Sequence, residues 1–533
     1  MNLPKPRNIK YDDLINEIKK GEIRIPQFQR EFVWEKWKTA QLVDSLLRGY
    51  PIGTFIFWKT KERLRSVGSI EKFVDRMPSK EEYVKYVLDG QQRITSLFVA
   101  LQGAKIDKTD YSKIYINLID EDEIMIYDDS ELDNFESDQY IKFVDLISMD
   151  LAEMFLKYGN NIDIINKISY YKKQVENYDF SIIETADIEI DVATDIFTRI
   201  NVGGKPLTVF EIMCAKTYDY SSGFDLREKS DNMKAKLTNV NFDTINEIAF
   251  LQLAATILSN GCQRKHILKL DKPKFIEIWG DVESAIMTAI DFFRTAYSVK
   301  VSKLLPFNAL LVPFGYYFYN TKNTPPSGTQ AKYLEDFFWK TSLSGRYSSA
   351  VEGKVINDTK NVIDKIIKGE VPKYEEYYNF NEEYIRNNGG FSTGKSFIKA
   401  ILVLLSQLNP RSFKNNAEVI ISNDWLKVSY SKNYHHFFPK AHLKRQGYDD
   451  WKINHIANIT IVDDYLNKRI IKDRAPKDYI QEFKAENNNF EFAINSHMIG
   501  DLNDFGVWED NYQKFFEARI KNMVKAIESK ICL

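Results

Sequence analysis

The chain has 533 residues, 44% hydrophobic, 14% aromatic and 28% charged. This is globular material too long for one ordinary core, and its length implies about three or four units. A formal net charge of -2 excludes a surface coated with positive charge, so any contact with nucleic acid must use local basic patches. Cys214, Cys262 and Cys532 lie far apart with no CxxC pair, which leaves no basis for a disulfide framework or a cysteine-based zinc site. MNLPKPRNIKYDDL turns polar and acidic before an apolar signal region forms, and no run of about eighteen apolar residues follows. A cytoplasmic protein without membrane contact is expected.

In chain order, YDDLINEIKKG reads as a short helix ended by Gly21, IRIPQFQREFVW as an extended segment holding Pro26, and EKWKTAQLVDSLLRG as a helix before Gly49. PIGTFIFW reads as a strand in which Gly53 allows a bulge or a close approach. EEYVKYVLDGQQRITSLFVAL then sets a buried-type strand, a glycine turn and an amphipathic helix in succession, the clearest supersecondary unit of the chain. Residues 113–119 and 187–192 read as further strands, the latter from the alternation of Ile188, Ile190 and Val192 with acidic residues. From about residue 215 to 410 the period is helical, as in INEIAFLQLAATILSN and LPFNALLVPFGYYFYN, with loops at NTPPSG and NNGGFSTG. A histidine-rich unit follows, closed by FFEARIKNMVKAIESKI, whose Phe516, Ile520, Met523 and Ile527 line one helix face. The fold class is α+β, divided at 1–214, 215–420 and 421–533.

Four of the six histidines, His435, His436, His442 and His455, crowd into this last unit. Hydrolysis of a phosphodiester at neutral pH needs a base to activate water and a cation to take up charge on the phosphate and the leaving oxygen. Adjacent residues on a regular strand point to opposite faces, so His435 and His436 share one role only where the strand ends, and Pro439 marks such an end. One imidazole then turns to the metal and its neighbour to the water, with Asn458 holding the base in its tautomer and Asn467 completing the metal site. His442 and His455 are second-rank candidates, while His266 and His497 read as ordinary structural histidines. Lys440, Lys444, Arg445, Lys452, Lys468, Arg469, Lys472 and Arg474 surround the motif, with Tyr448 and Trp451 interleaved, as suits a phosphate backbone; Asp449, Asp450, Asp463 and Asp464 balance them as a solvated face would.

HHFFP, HIANITIV and LNKRI together resemble the HNH, or ββα-metal, nucleases, in the DUF1524-like version that ends proteins of the GmrSD type. The resemblance implies a general base at His436, an orienting amide at Asn458, and divalent-metal ligands, for Mg2+ or Mn2+, at His435 and Asn467. His435 stands where the family more often has an acid, and a neutral His/Asn pair is a weak site for Mg2+ unless water and phosphate oxygens complete it.

In YVLDGQQRITSL the strand delivers Asp89 to its end, Gly90 permits a tight turn, and the helix from Gln91 opens with backbone donors that favour an anion. An ordinary strand-turn-helix corner has the same pattern. The blocks IPQFQREFVW, LLRGYPIGTFIFW, VLDGQQRITSL and FTRINVGGKPLT, in that order, resemble the DUF262 domain, whose fold is related to ParB and sulfiredoxin. That resemblance implies nucleotide binding and hydrolysis at Asp89, Gly90, Gln91, Gln92 and Arg93, with Gln29, Arg30, Asn201, Gly203 and Gly204 on other family blocks. GGFSTGKS, residues 389–396, satisfies a Walker A pattern, but the polar NFNEEYIRNN before it is no buried strand, so a loop before a core helix is the better account.

Taken together, these resemblances imply an α+β protein with an N-terminal ParB-like domain, a helical middle and a C-terminal HNH domain. Its expected activity is NTP-regulated, metal-dependent, modification-dependent DNA cleavage of the type IV kind, serving defence against phage. The implied partners are modified phage DNA, a nucleoside triphosphate and a second copy of the chain. Two other readings stand beside it: a nucleotide-gated DNA-binding regulator or toxin component whose HNH unit is inactive or RNA-directed, and an NTPase that scaffolds a partner.

Overall fold

A computed structural model describes the chain except at residues 1–3, 30–31, 67–69, 71–72, 76–77, 80, 107, 121–123, 128, 160, 201–206, 220, 422, 424–433, 463–470 and 533. It divides into two compact units, residues 1–226 and 227–533.

The first unit is built on a mixed sheet. Its strands are β1 (Lys5–Ile9), β2 (Ile23–Arg24), β3 (Phe55–Thr60), β4 (Val84–Asp89) and, after five short strands, β10 (Phe180–Ala186). The order is β1-β10-β3-β4-β2, with β1 antiparallel to β10, β10 parallel to β3, β3 antiparallel to β4 and β4 parallel to β2. The intervening strands pair as β5 (Lys105–Ile106) with β6 (Thr109–Asp110), and as β7 (Tyr115–Asn117) between β8 (Met125–Ile126) and β9 (Tyr140–Lys142). β4 lies inside the sheet and is buried from Val84 to Leu88, which explains an apolar run without alternation. The helix Tyr11–Lys19 turns Tyr11, Leu14, Ile15 and Ile18 inward at helical spacing, and keeps Asp12 and Asp13 in its first turn, where the helix dipole favours acids. The helices Lys36–Leu47 and Gln91–Gln102 add Val43, Leu46, Leu47, Ile94, Leu97 and Phe98 to the same core as Phe55 and Phe57 of β3. Each such fully buried side chain contributes about 1.5–3 kcal/mol.

The strand expected at 187–192 is corrected. The strand is Phe180–Ala186, Asp187 turns the chain at φ 56°, and a helix runs over Ile190–Ile200. Ile190, Ala193 and Thr194 are buried at helical spacing, and three alternating apolar residues match a strand equally well when the window is that short.

The second unit is mostly helical. Helices Ile248–Ser259, Lys272–Ala296, Leu311–Asn320, Gly328–Ser344 and Ser396–Gln407 pack around an aromatic cluster that includes Phe293, Tyr297, Phe314 and Phe338, with Phe293 and Phe314 ring centroids 4.7 Å apart. Asp271 caps the longest helix by accepting from Lys274 N at 3.1 Å, with Pro273 in the first turn. The histidine-bearing part is a two-stranded ribbon, β11 (Tyr434–His436) and β12 (Ile459–Ile461), followed by Pro476–Glu486 and closed by Tyr512–Glu528. Phe516, Ile520, Met523 and Ile527 of the last helix are buried as their spacing predicts. No helix among the described residues is long and apolar enough to cross a membrane.

Candidate functional site

The ribbon sets His435 opposite Thr460 and His436 opposite Ile459, so the paired histidines face opposite sides as strand alternation requires. His435 is 2% exposed and lies edge-on to Phe413 and Tyr479. The Thr460 hydroxyl donates to the His435 carbonyl at 3.3 Å, which leaves its oxygen to accept from His435 Nδ1 at 3.1 Å. The Nε2 lone pair is therefore left over, and Nε2 has no partner among the described residues. Burial, reinforced by the nearby His436, holds this ring neutral, far below the ordinary imidazole range. A neutral imidazole with one orphaned buried nitrogen is what a metal ligand needs, and in that respect His435 fits a cation. Among the described residues no group of three or more His, Cys, Asp or Glu is arranged to hold a metal. Asn467, the other expected ligand, lies outside the described residues, as do Lys468, Arg469, Arg30, Asn201, Gly203 and Gly204.

His436 looks to the other face. Its Nε2 is 3.2 Å from Asn454 Oδ1, and its Nδ1 has no hydrogen-bond partner among the described residues. Burial, with the nearby Lys440 ammonium, pushes it down to about 4, so it is an unprotonated base at neutral pH. Lys440 makes no ion pair among the described residues, nor does Lys472, whereas Lys444, Arg445 and Arg474 are paired with Asp450, Asp473 and Glu482. Three of the six described cations of the cluster are thus paired, Lys452 makes no ion pair among the described residues and reaches only Gln513, and Lys440 is the unpaired cation whose charge acts on His436.

The expected role of Asn458 is corrected. Its side chain is fully buried: Oδ1 accepts from Phe438 N at 2.9 Å, and Nδ2 donates to Phe438 O at 3.0 Å and Ile453 O at 3.1 Å. Asn458 therefore ties the stretch after His436 to the turn before β12 and does not meet the imidazole. The amide at His436 is that of Asn454, four residues earlier. Thr460 and Asn454 were both missed from sequence; NHIAN carries two amides at a spacing of four, and only the turn between them decides which reaches the ring.

Three further histidines, His442, His455 and His497, are held by internal partners. His442 Nε2 is 3.0 Å from both oxygens of Asp510 and ties the helix Lys440–Arg445 to the loop before the last helix. His455 Nδ1 accepts from Ala457 N at 3.1 Å and its Nε2 lies 3.2 Å from Ile385 O. His497 Nδ1 accepts from Ile461 N at 3.4 Å and its Nε2 lies 2.9 Å from Arg411 O. Burial pushes His455 down to about 4 and His497 to about 3. Arg519, fully buried and without a carboxylate partner among the described residues, donates to Ala457 O at 2.9 Å and His497 O at 3.2 Å, bracing the same turn; burial pushes it down to about 9.

The Walker-like GGFSTGKS is part of this scaffold. A Cβ on Gly389 would fall inside the His455 ring and one on Gly390 would strike Trp451 at 2.4–2.6 Å, so close packing explains both glycines. Gly390 bridges His455, Gly389 O accepts from Ile456 N at 2.7 Å, and Phe391 N donates to Asn454 O at 2.8 Å. Lys395 lies over the Trp451 ring, 5.9 Å from its centroid, and the core helix Ser396–Gln407 follows. A cavity of about 800 Å³ elsewhere in this unit, lined in part by Tyr333, Asp336, Tyr374 and Tyr377, includes none of these histidines.

In the first unit Asp89 ends β4, Gly90 turns at φ 91°, and the helix begins at Gln91. A Cβ on Gly90 would come within 2.5 Å of the Phe55 ring, and one on Gly53 would strike the Arg93 guanidinium, so these glycines admit the chain's own side chains. Arg93 pairs with Asp89 at 3.0 Å and donates to Ile52 O at 2.8 Å and Thr54 O at 3.2 Å, pinning the entry to β3. Gln91 and Gln92 are buried, Gln92 Oε1 accepts from Val33 N at 3.0 Å, and Gln29 Nε2 donates to the β4 carbonyls of Val87 and Leu88 at 2.9 and 3.1 Å. Of the expected nucleotide residues, Asp89 is 32% exposed and Arg93 22%, while Gln91 and Gln92 are buried. Among the described residues the box therefore offers a triphosphate no free cation, because Arg93 is engaged by Asp89 and two carbonyls.

The uncharacterized protein MJ0686 of Methanocaldococcus jannaschii is 25% identical over 520 residues, covering 88% of this chain and 86% of that protein. Residues 11–218, which contain the Asp89 box, match the family model of the GmrSD restriction endonuclease N-terminal domain.

Proposed function

We propose that this protein is a metal-dependent DNA endonuclease of the GmrSD, modification-dependent kind, acting against modified phage DNA, with His436 as its general base. The observation that carries the reading is His436 itself: an unprotonated imidazole with an open Nδ1, acted on by the charge of Lys440. The family match over residues 11–218 supports the restriction setting.

In this mechanism His436 Nδ1 takes a proton from water as the water oxygen attacks phosphorus in line with the leaving oxygen. Lys440 meets the phosphate and lowers the cost of its charge. A divalent ion, when bound, would supply positive charge to the phosphate and leaving oxygen; on the family resemblance its proposed ligands are Asn467 and His435, and His435, on the opposite side of the ribbon from His436, would join it only with its ring turned around the strand end. Asn458 keeps the stretch after His436 in place.

Nucleotide regulation is proposed for the Asp89 turn on the family resemblance alone. No step is routed through it, since Arg93, Gln91 and Gln92 are committed to internal contacts.

The test uses the full chain with plasmid and modified phage DNA, Mg2+ or Mn2+, and each NTP in turn. His436→Ala is expected to lose at least about 100-fold in metal-dependent cleavage while DNA binding persists. Asp89→Ala is expected to lose the response to NTP and keep basal cutting. Unchanged cleavage by His436→Ala removes the base assignment, and tight DNA binding with no cleavage by the unaltered protein favours the regulator reading instead.

A further inference from the structure

We infer that Asn454 is the positioning residue of the site: it fixes His436 as the Nε2–H tautomer and so leaves the Nδ1 lone pair as the proton acceptor. The inference rests on the nuclease reading of His436 and names a residue which that reading took no account of.

Asn454 ends the short helix Asp450–Ile453, and its Nδ2 donates to Asp450 O at 2.9 Å. A carbonyl can only accept, so this contact assigns the amide: the nitrogen faces Asp450 and the oxygen faces His436. An amide oxygen can likewise only accept. At 3.2 Å from it, His436 Nε2 must carry the proton, and Nδ1 is left unprotonated in the neutral ring.

The backbone of Asn454 is held on both sides. Its N–H donates to Asp450 O at 3.0 Å and its carbonyl accepts from Phe391 N at 2.8 Å. Gly389 and Gly390 allow that close strand-like approach, so the Walker-like loop serves to hold the amide that aims the base. Asn458 cannot take over this function, because all its hydrogen-bonding groups are engaged on Phe438 and Ile453.

A tautomer-fixing partner typically contributes about 10–100-fold to activity. The experiment labels the histidines of the full-length protein with 15N and reads the His436 tautomer at neutral pH from its ring-nitrogen shifts, assigned by their loss in His436→Asn. The unaltered protein is expected to show Nε2–H, Asn454→Leu a mixture of tautomers, and Asn454→Asp, which keeps an acceptor at the same place, Nε2–H again. Cleavage by Asn454→Leu should fall about 10–100-fold in kcat with KM for DNA within about twofold, and Asn454→Asp should recover most of it. An Nδ1–H tautomer in the unaltered protein overturns the inference without any variant. So does full activity of Asn454→Leu in a protein that cuts. If the unaltered protein cuts nothing yet shows Nε2–H that is lost in Asn454→Leu, the nuclease reading fails and the positioning contact stands.

Discussion

The buried histidines make the second unit sensitive to acid for a reason that can be worked out residue by residue. His497 uses Nδ1 to accept from Ile461 N, and His455 uses its Nδ1 to accept from Ala457 N. Neither nitrogen can take a proton without losing that bond, and burial already opposes the charge, which puts the folded values near 3 and 4 against an ordinary 6.5. The folded values are depressed, so between pH 6.5 and about 4 the unfolded chain binds protons that the folded chain cannot. Stability is therefore complete above about pH 6.5 and falls as pH drops toward 4, by a few kcal/mol for the two groups together. Thermal unfolding followed from neutral to about pH 4.5 should show a falling midpoint whose slope is shallower in His497→Gln; a flat midpoint in the unaltered protein would contradict this account.

Among the elements, those with a strong local signal were legible in sequence: the strand-turn-helix at Asp89–Gly90–Gln91, the last helix with its Phe516, Ile520, Met523 and Ile527 stripe, and the strand ending before Pro439. The alternation at 187–192 misled because a three-residue apolar pattern does not distinguish a strand from the first turn of a helix. Within the candidate site, the histidine pair at a strand end was legible, but the amide beside His436 was not, since the choice between Asn454 and Asn458 depends on how a turn folds back. Contacts between charged residues of different elements were also invisible. Arg346, 8% exposed, makes two bonds of 2.7 Å to Asp358, which is 4% exposed and also accepts from Tyr347 OH at 2.9 Å, while Glu375 meets Arg346 at 2.8 Å. This joins the turn Arg346–Ser348, the helix Val351–Asp358 and the loop carrying Glu375. In sequence such residues read as a solvated helix face. Arg346→Met would leave the Asp358 carboxylate buried with only Tyr347 for company, and the expected cost is about 3–5 kcal/mol. Urea unfolding should register it as a lowered midpoint with unchanged slope, and a loss under about 1 kcal/mol would show that the pair is solvated in solution.

For the whole molecule, the way the strands are shared out has a consequence for how the chain can be divided. Every strand of the five-stranded sheet comes from residues 5–186, and both ribbon strands come from residues 434–461. Among the described residues no strand pair crosses from residues 1–226 to residues 227–533, and each stretch is long enough to bury a core of its own. The Walker-like loop, the last helix and the ribbon also fall together in 227–533, so His436, Asn454 and Arg519 are not separated by a cut near residue 226. Expressed separately, 1–226 and 227–533 should each unfold cooperatively, and the His436 tautomer in 227–533 should match that of the full chain. If the nuclease reading holds, metal-dependent cutting stays with 227–533 and disappears in its His436→Ala form, while any response to NTP is lost with the first unit. Aggregation of either piece, or a response to NTP retained by 227–533 alone, would show that the working unit is larger than the one the strands define.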